Sequence, residues 1–359
     1  MPNKKVLVAM SGGVDSAAAA LLLKRKGYDI SGVTMRLWNE RSFLNDCSNN
    51  ESDVIDENSI QAREIANKLN FEHFSVDMST CFNESVVTPF INDYKSGKTP
   101  NPCVECNKRL KFGRLLDLTN DKGFDYLATG HYARIEKDSN GTFTLKKALD
   151  EKKDQSYFLW SLKKESLSQI LLPLGEFTKP QIREIARENG FSNADRGDSQ
   201  DICFIPDGDY TAFLEKLGSV KFISGNFIDL SGNILGRHSG LERYTIGQRK
   251  GLGIALGKPM FVCEKNVTDN TVTLCDDAQL YKKELYATKI NLLVNDSLEK
   301  EIKLQAKIRY RHTPAIATVK RINQDTLHII FDEPQRAITK GQSLVLYDGD
   351  IVIGGGIIE

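Results

Sequence analysis

Short apolar runs alternate with amphipathic stretches along the first half of the chain. Residues 5–10 (KVLVAM) form an apolar run of strand length, and 14–26, rich in Ala and Leu, read as a helix closed by Gly27 at C′. Residues 28–37 hold enough β-branched side chains for a second strand. Apolar positions at Ile60, Ala62, Ile65, Ala66 and Leu69 give 57–70 a helical period, and 71–77 and 125–129 are further strand candidates, the last leading into Gly130 and His131. From 162 to 190 the pattern is helical again, with Thr178 as N-cap and Pro180 in the first turn. Strands alternating with helices predict a mainly parallel sheet covered on both faces. Ligands of such sheets sit beyond the carboxyl ends of the strands, where the loops at Ser11, Met35 and Gly130 would converge.

Near Cys203 the texture changes. Residues 209–218 read as one short helix; beyond them come short β-prone runs broken by Gly, Asn and Asp, at 226–230, 260–263, 271–275, 306–310, 316–321, 326–331 and 343–347, before a Gly-rich tail. The fold class expected is α/β: an N-terminal parallel-sheet nucleotide-binding domain over 1–205 with a helical extension at about 150–200, a small central β-rich domain over 206–279, and a barrel-like β domain over 280–359.

Composition narrows the classes. With 359 residues, 40% of them hydrophobic and 27% charged, the chain is globular, long enough for two or three cores, and neither a disordered tail nor a collagen-like rod. Forty-eight basic residues balance 48 acidic ones, so no global field draws nucleic acid and any such binding rests on local patches. The first residues, MPNKKVLVAM, lack the apolar core and cleavage site of a signal peptide, and no stretch approaches a membrane span, so a cytoplasmic location with no membrane partner is expected. Seven cysteines, an odd number, argue for buried, catalytic or metal-bound thiols over a disulfide scaffold.

Three strings carry chemistry. Ser11-Gly12-Gly13-Val14-Asp15-Ser16 follows a strand and opens a helix: the glycines turn the backbone amides toward an anion, the helix start adds partial positive charge, and the serines can donate to phosphate oxygens. Asp15, an anion itself, suits a magnesium or positioning role, and the Gly-Lys-Ser/Thr ending of a Walker loop is absent. The second string, Thr99-Pro100-Asn101-Pro102-Cys103-Val104-Glu105-Cys106-Asn107, starts a helix near Cys103, where helix amides and Lys108, Arg109 and Lys111 would favour thiolate. Half a zinc site or an iron–sulfur ligand pair is the other reading of Cys103-x-x-Cys106, but a second close Cys/His pair is missing, so no metal site is expected. The third is Asp198-Ser199-Gln200-Asp201-Ile202-Cys203-Phe204-Ile205, in which Cys203 taken alone reads as a small buried hydrophobe.

The first string resembles the PP-loop of the N-type ATP pyrophosphatases, whose fold is Rossmann-like (HUP). All three together, with Ala128-Thr129-Gly130-His131-Tyr132, Lys153-Asp154-Gln155-Ser156-Tyr157-Phe158, Tyr244 to Gly251, Arg309-Tyr310-Arg311 and Gly341-Gln342-Ser343, resemble the bacterial tRNA-specific 2-thiouridylases from end to end. The resemblance implies ATP-dependent 2-thiolation of a wobble uridine: O2 attacks the α-phosphate, pyrophosphate leaves, and sulfur later displaces AMP from C2. It implies Cys106 as nucleophile and Cys203 as persulfide carrier, with sulfide freed in place or the persulfide attacking C2 directly. ATP would lie on Ala9, Met10, Ser11, Gly12, Gly13, Val14, Asp15, Ser16, Met35 and Gly130, with Mg²⁺ as its companion ion. RNA would meet Asn101, Pro102, Cys103, His131, Lys153, Asp154, Gln155, Arg309, Tyr310 and Gln342. Where some relatives carry Asp, this chain has Cys103, so an acid's role there is open. The implied partners are tRNAs for Lys, Glu and Gln and a cysteine desulfurase or sulfur-relay protein. Two other readings compete: another PP-loop pyrophosphatase of the amidotransferase type, with no need of Cys203, and a non-catalytic RNA-binding protein with a degenerate loop.

Overall fold

The structure, a computed structural model, describes residues 3–38, 57–195, 197, 202–205, 207–218, 220–294, 298 and 300–359. The chain folds into two compact units, one of Met1–Ser85, Cys103–Gln200 and Gly349–Ile353, the other of Val86–Pro102, Asp201–Asp348 and Gly354–Glu359.

The first unit is built on a parallel sheet. Its strands are β1 (Lys5–Ala9), β2 (Asp29–Arg36), β3 (His73–Asp77), β4 (Tyr126–Ala128) and β7 (Ile170–Leu171), in the order β3-β2-β1-β4-β7. The chain steps outward from β1 to β3 and then returns to the other side of β1, so the sheet's topological switch lies between β1 and β4. Helix α1 (Val14–Arg25) covers that position. Its four alanines are at most 1% exposed: Ala17 and Ala20 pack with Val6, Val8 and Ala128, while Ala18 and Ala19 face Tyr132, Leu174 and Ile182. Small side chains on both faces let the sheet and a second helix approach α1 closely, and Gly27, at φ +83°, ends it as expected. Helix α2 (Glu57–Lys68) matches its predicted period through Ala62, Ile65 and Ala66.

The stretch over 162–190 is not one helical region. It holds a 3₁₀ segment, Lys164–Gln169, then β7, and only Lys179–Glu188 (α3) is α-helical. The two-residue β7 exists because Leu127 and Ala128 offer it a ladder, a long-range cause that local periodicity does not contain. A hairpin of β5 (Arg134–Lys137) and β6 (Phe143–Lys146) also went unanticipated.

In the second unit, Asp209 caps α4 (Tyr210–Lys216) by accepting from the Thr211 and Ala212 amides at 3.0 Å each. Strands β8 (Gly225–Ile228), β9 (Ile234–His238), β10 (Phe261–Asn266) and β11 (Thr271–Cys275) form a sheet in the order β10-β11-β8-β9 over Phe227, Tyr244, Val262, Val272 and Leu274. Then β12 (Tyr281–Leu292), β15 (Thr326–Arg336), β14 (Ala315–Asn323), β13 (Ile302–Lys307), β16 (Ser343–Asp348) and β17 (Ile351–Ile358) follow one another around a barrel closed by β17 on β12. The run expected at 306–310 lies earlier, at β13, and the Gly-rich tail is the closing strand itself. A Cβ at Gly354 (φ +150°) would stand 2.2 Å from the Asn291 carbonyl oxygen, so only glycine lets β17 come this close.

Lys265 in β10 donates to the Tyr244 carbonyl at 2.9 Å, and burial holds its ammonium down to about 8, with Glu242 opposing. Between about 8 and the ordinary 10.5 the unfolded chain binds a proton the folded chain has released, so stability rises with pH there. Replacing Lys265 by Met is therefore expected to stabilise the protein at neutral pH by roughly 1–3 kcal/mol. Thermal unfolding from pH 7 to 10.5 checks this, because the gain must shrink as the pH climbs.

Candidate active site

The phosphate loop leaves β1 and turns at Gly12, whose φ of +71° suits glycine, and an added Cβ there would meet the Asn58 backbone at 2.9 Å. Gly13 is the N-cap of α1 and lends no side-chain acceptor, so the first-turn amides stay available to an anion. Ser16 ties the loop together: its Oγ donates to the Gly13 carbonyl at 3.0 Å and accepts from the Ser11 amide at 3.2 Å. Asn193, 5% exposed, donates to the Gly12 carbonyl at 2.7 Å and fixes the peptide from the far side. The Met10 amide bonds the Val33 carbonyl at 2.8 Å, and Thr34 Oγ1 bonds the Met10 carbonyl at 3.0 Å, so the loop is anchored to β2 just before Met35. Gly130 at the end of β4 lies against the start of α1; a Cβ on it would be 2.8 Å from the Asp15 carbonyl carbon and 2.9 Å from the Ser16 nitrogen. Ala9, Met10, Ser11 to Ser16, Met35 and Gly130 thus share the carboxyl ends of β1, β2 and β4.

Asp15 departs from a free magnesium ligand. Both its oxygens accept from Lys179 Nζ at 2.8 Å, and Oδ1 also accepts from the Tyr132 hydroxyl at 2.8 Å. Lys179 is 6% exposed, at the first position of α3 after Thr178, with its ammonium 5.8 Å from the Tyr132 ring centre.

Cys103 and Cys106 stand on the helix Pro102–Cys106, which continues through the π-type turns Asn107–Arg114 into Leu115–Asp121. A π turn brings i and i+5 onto one side, which turns Lys111 toward Cys106. Lys111 Nζ is 3.4 Å from His131 Nε2, whose other ring nitrogen is 2.7 Å from Thr129 Oγ1. Burial and Lys111 push His131 well below its ordinary value, so the ring is neutral; Nε2 accepts from the ammonium and Nδ1–H donates to Thr129.

The thiols are not the activated thiolates that the basic neighbours suggested. Cys106 is 7% exposed, and burial pushes its thiol up while only Lys111 pulls back; Arg109 is turned to Glu105 at 3.2 Å and Lys108 is exposed. Cys103 is pushed the same way by the dense protein around it, yet its surface is open to water, so the effect weighs more on Cys106. Cys203 is exposed at a turn, and the preceding Asp198 to Asp201 lie outside the described residues.

Several residues assigned to RNA are engaged within the fold. Asp154, 7% exposed, accepts from the amides of Ala148 and Ser156 and from the Ser156 hydroxyl. Gln155 clamps Tyr132 with two bonds, accepting its amide at 2.9 Å and donating its own amide to the Tyr132 carbonyl at 2.8 Å. Gln342 donates to the Thr99 carbonyl at 2.8 Å while the Thr99 amide bonds the Lys340 carbonyl, holding the approach to Asn101 and Pro102. Arg309 donates to the Arg336 carbonyl at 2.9 Å; Tyr310 is half-buried, under Lys307; Lys153 is half-buried on a turn.

Sequence reasoning missed Lys179, Tyr132 and Asn193. A signal existed for the first: a lysine in a helix's opening turn opposes the helix dipole, and such a local violation marks a residue held for another reason.

Comparisons with known proteins agree along the whole chain. Residues 4–207 match the family described as tRNA methyl transferase HUP domain, 211–276 the tRNA methyl transferase PRC-barrel domain, and 282–358 the aminomethyltransferase beta-barrel domain. The chain is similar to proteins named tRNA-specific 2-thiouridylase MnmA. It is 50% identical to that of Clostridioides difficile strain 630, over 99% of this chain and 98% of the relative. It is 46% identical to that of Clostridium botulinum strain Alaska E43, over 100% and 99%. For Acetivibrio thermocellus the figure is 45%, over the full length of both.

Two outcomes follow from this geometry. Gly130→Ala should weaken binding of a non-hydrolysable ATP analogue by about tenfold or more, read by calorimetric titration, because the start of α1 must shift. Single-turnover sulfur transfer should climb by about tenfold per pH unit below the raised Cys106 range, and Lys111→Met should move that rise to higher pH.

Proposed function

The chain belongs to the tRNA-specific 2-thiouridylase family, and on that footing we propose how its residues divide the work. The protein catalyses ATP-dependent thiolation of a tRNA uridine. The observation that carries this reading is its near-full-length identity with 2-thiouridylases, joined by an anion-binding loop at the sheet's switch point.

Uridine C2 is a poor electrophile and its oxygen a poor leaving group. ATP seated on Ser11 to Ser16, Met35 and Gly130 presents its α-phosphorus to O2; the O2–P bond forms, the bond to the β-phosphate oxygen breaks, and pyrophosphate departs. Mg²⁺ enters as part of the nucleotide substrate. Among the described residues no three His, Cys, Asp or Glu side chains gather into a resident metal site, and both Asp15 oxygens face Lys179.

Cys203, exposed to a donor, carries the persulfide, and Cys106 attacks its inner sulfur as thiolate. That S–S bond breaks, a Cys106–Cys203 disulfide forms, and hydrosulfide leaves; it adds to C2, and AMP departs with the C2–O electron pair. The two thiols have then lost two electrons, which two equivalents of an external thiol must return. Neutral His131 and exposed Cys103 face the base, and Lys108, Arg109, Arg249 and Lys250, all exposed, meet RNA phosphates. The substrates are the wobble uridines of tRNAs for Lys, Glu and Gln, the sulfur comes from a cysteine desulfurase or relay protein, and the work is cytoplasmic. Among the described residues no helix is long and apolar enough to cross a membrane.

The test is mass spectrometry of wobble nucleosides after incubation with unmodified tRNA, ATP, Mg²⁺ and a persulfide donor. 2-Thiouridine must appear with wild type and fall at least about a hundredfold with Cys203→Ser and Cys106→Ser while ATP binding persists. Cys103→Ser should cost far less; the reverse ranking of Cys103 and Cys106 would reassign the nucleophile.

A further inference from the structure

Cys203 stands on a turn that the fold holds firmly. The Ile205 amide donates to the Ile202 carbonyl at 2.8 Å, closing a turn with Cys203 at its first corner. The thiol is exposed, yet the two residues after it, Phe204 and Ile205, are 3% and 2% exposed. The Phe204 ring packs against two others. Phe90 lies 5.3 Å away and edge-on at 87°, Phe213 lies 5.2 Å away and tilted at 57°, and those two are themselves 6.1 Å apart. Phe90 belongs to the helix Thr88–Lys95 and Phe213 to α4; Tyr94, against Phe90 at 5.0 Å, stacks on Tyr210 at 4.9 Å and ties the same two helices together. The chain runs on from the helix Thr88–Lys95 to Thr99, pinned by its amide on the Lys340 carbonyl and by Gln342 on its own carbonyl. Phe90, Thr99, Phe204 and Phe213 all belong to the second unit. The two thiols are 97 positions apart, but each follows or precedes a fixed point of that unit closely: Cys203 comes one position before Phe204, and Cys106 seven after Thr99.

Resting on the sulfur route proposed above, we propose that Phe204 is the positioning residue of the sulfur carrier: seated between Phe90 and Phe213, it holds Cys203 where Cys106 can reach its inner sulfur. In that step the Cys106 thiolate bonds to the Cys203 sulfur, the persulfide S–S bond breaks, and its electron pair leaves with hydrosulfide. Attack along the S–S axis demands a fixed orientation as well as nearness. An exposed turn left to itself samples many backbone states, and ordering even one residue again costs roughly a factor of ten. The ring clasp offsets that cost on folding, because aromatic pairs add to what burial alone contributes. Loading by an outside donor needs only an exposed thiol, whereas pairing with Cys106 needs one in a defined place. Phe204 serves the second and not the first.

Glutathione redox buffers test this on the whole protein, with unmodified tRNA and a non-hydrolysable ATP analogue present. Each Cys106–Cys203 disulfide formed converts one oxidised glutathione to two reduced. The buffer ratio at half-pairing, read by tandem mass spectrometry after quenching and alkylation, therefore gives the effective concentration of one thiol at the other. Phe204→Ala, with folding followed by near-UV circular dichroism, should lower that concentration about tenfold or more. The rate at which Cys203 itself takes up glutathione should stay within about threefold of wild type. A folded variant whose effective concentration lies within about threefold of wild type overturns the proposal, and so does an equal fall in pairing and in uptake. Should Phe204→Ala not fold, Phe204→Leu and Phe90→Leu keep the pocket filled: each should lower pairing about threefold or more, and the double variant should do no worse than the weaker single, whereas additive losses overturn the clasp. Wild type that pairs the thiols yet makes no 2-thiouridine sinks the thiolation reading and leaves the clasp to be judged by its variants. Wild type that makes 2-thiouridine yet pairs the two thiols at no buffer ratio overturns the clasp alone.

Discussion

The close approach of α1 to the carboxyl ends of β1 and β4 is the constraint on which the rest depends. Four consecutive alanines keep the helix thin on both faces, and Gly130 lets the end of β4 touch the peptide of Asp15 and Ser16. A bulkier contact at either place would tilt the helix start and swing its free amides off the anion position. Core packing and nucleotide chemistry are therefore the same set of contacts, which is why small residues cluster where a larger core would otherwise be more stabilising.

The charge arrangement follows from that geometry. Oriented amides and a helix end attract phosphate as fixed dipoles, and a buried ion pair, Asp15 with Lys179, stands beside them. Lys179 comes from α3, and the Asp15 carboxylate it meets also accepts from Tyr132, whose backbone is clamped in turn by Gln155. One short turn, Thr129 to Tyr132, therefore touches both halves of the chemistry, since His131 within it meets Lys111 on the cysteine helix. Lys111 faces the thiols only because the helix widens at Asn107–Arg114, and Gly113 fits that widening, as a Cβ there would lie 2.9 Å from the Lys108 carbonyl oxygen.

Burial makes the enclosed Cys106 thiol keep its proton more firmly than a free cysteine does. Cys203, by contrast, is exposed. The buried thiol and the exposed one belong to two different units of the chain.

Much of this was legible from local pattern. Strand, Gly-Gly turn and Ala-rich helix are written into residues 5–27, the cap Thr178 and the cap Asp209 into their own neighbourhoods, because propensity, periodicity and capping act within a few residues. The phosphate loop and the cysteine string were visible for the same reason. Not visible were β7, which needs β4 as its ladder, the Gly-rich strand β17, which needs β12, the buried state of Cys106, and the grip of Lys179 on Asp15. Each of those depends on atoms distant in the chain, and burial, pKa and ion pairing are set by whatever the fold brings near. The sequence by itself determined which residues could do the chemistry; the tertiary structure decided which of them are solvated, which are paired, and toward what they point.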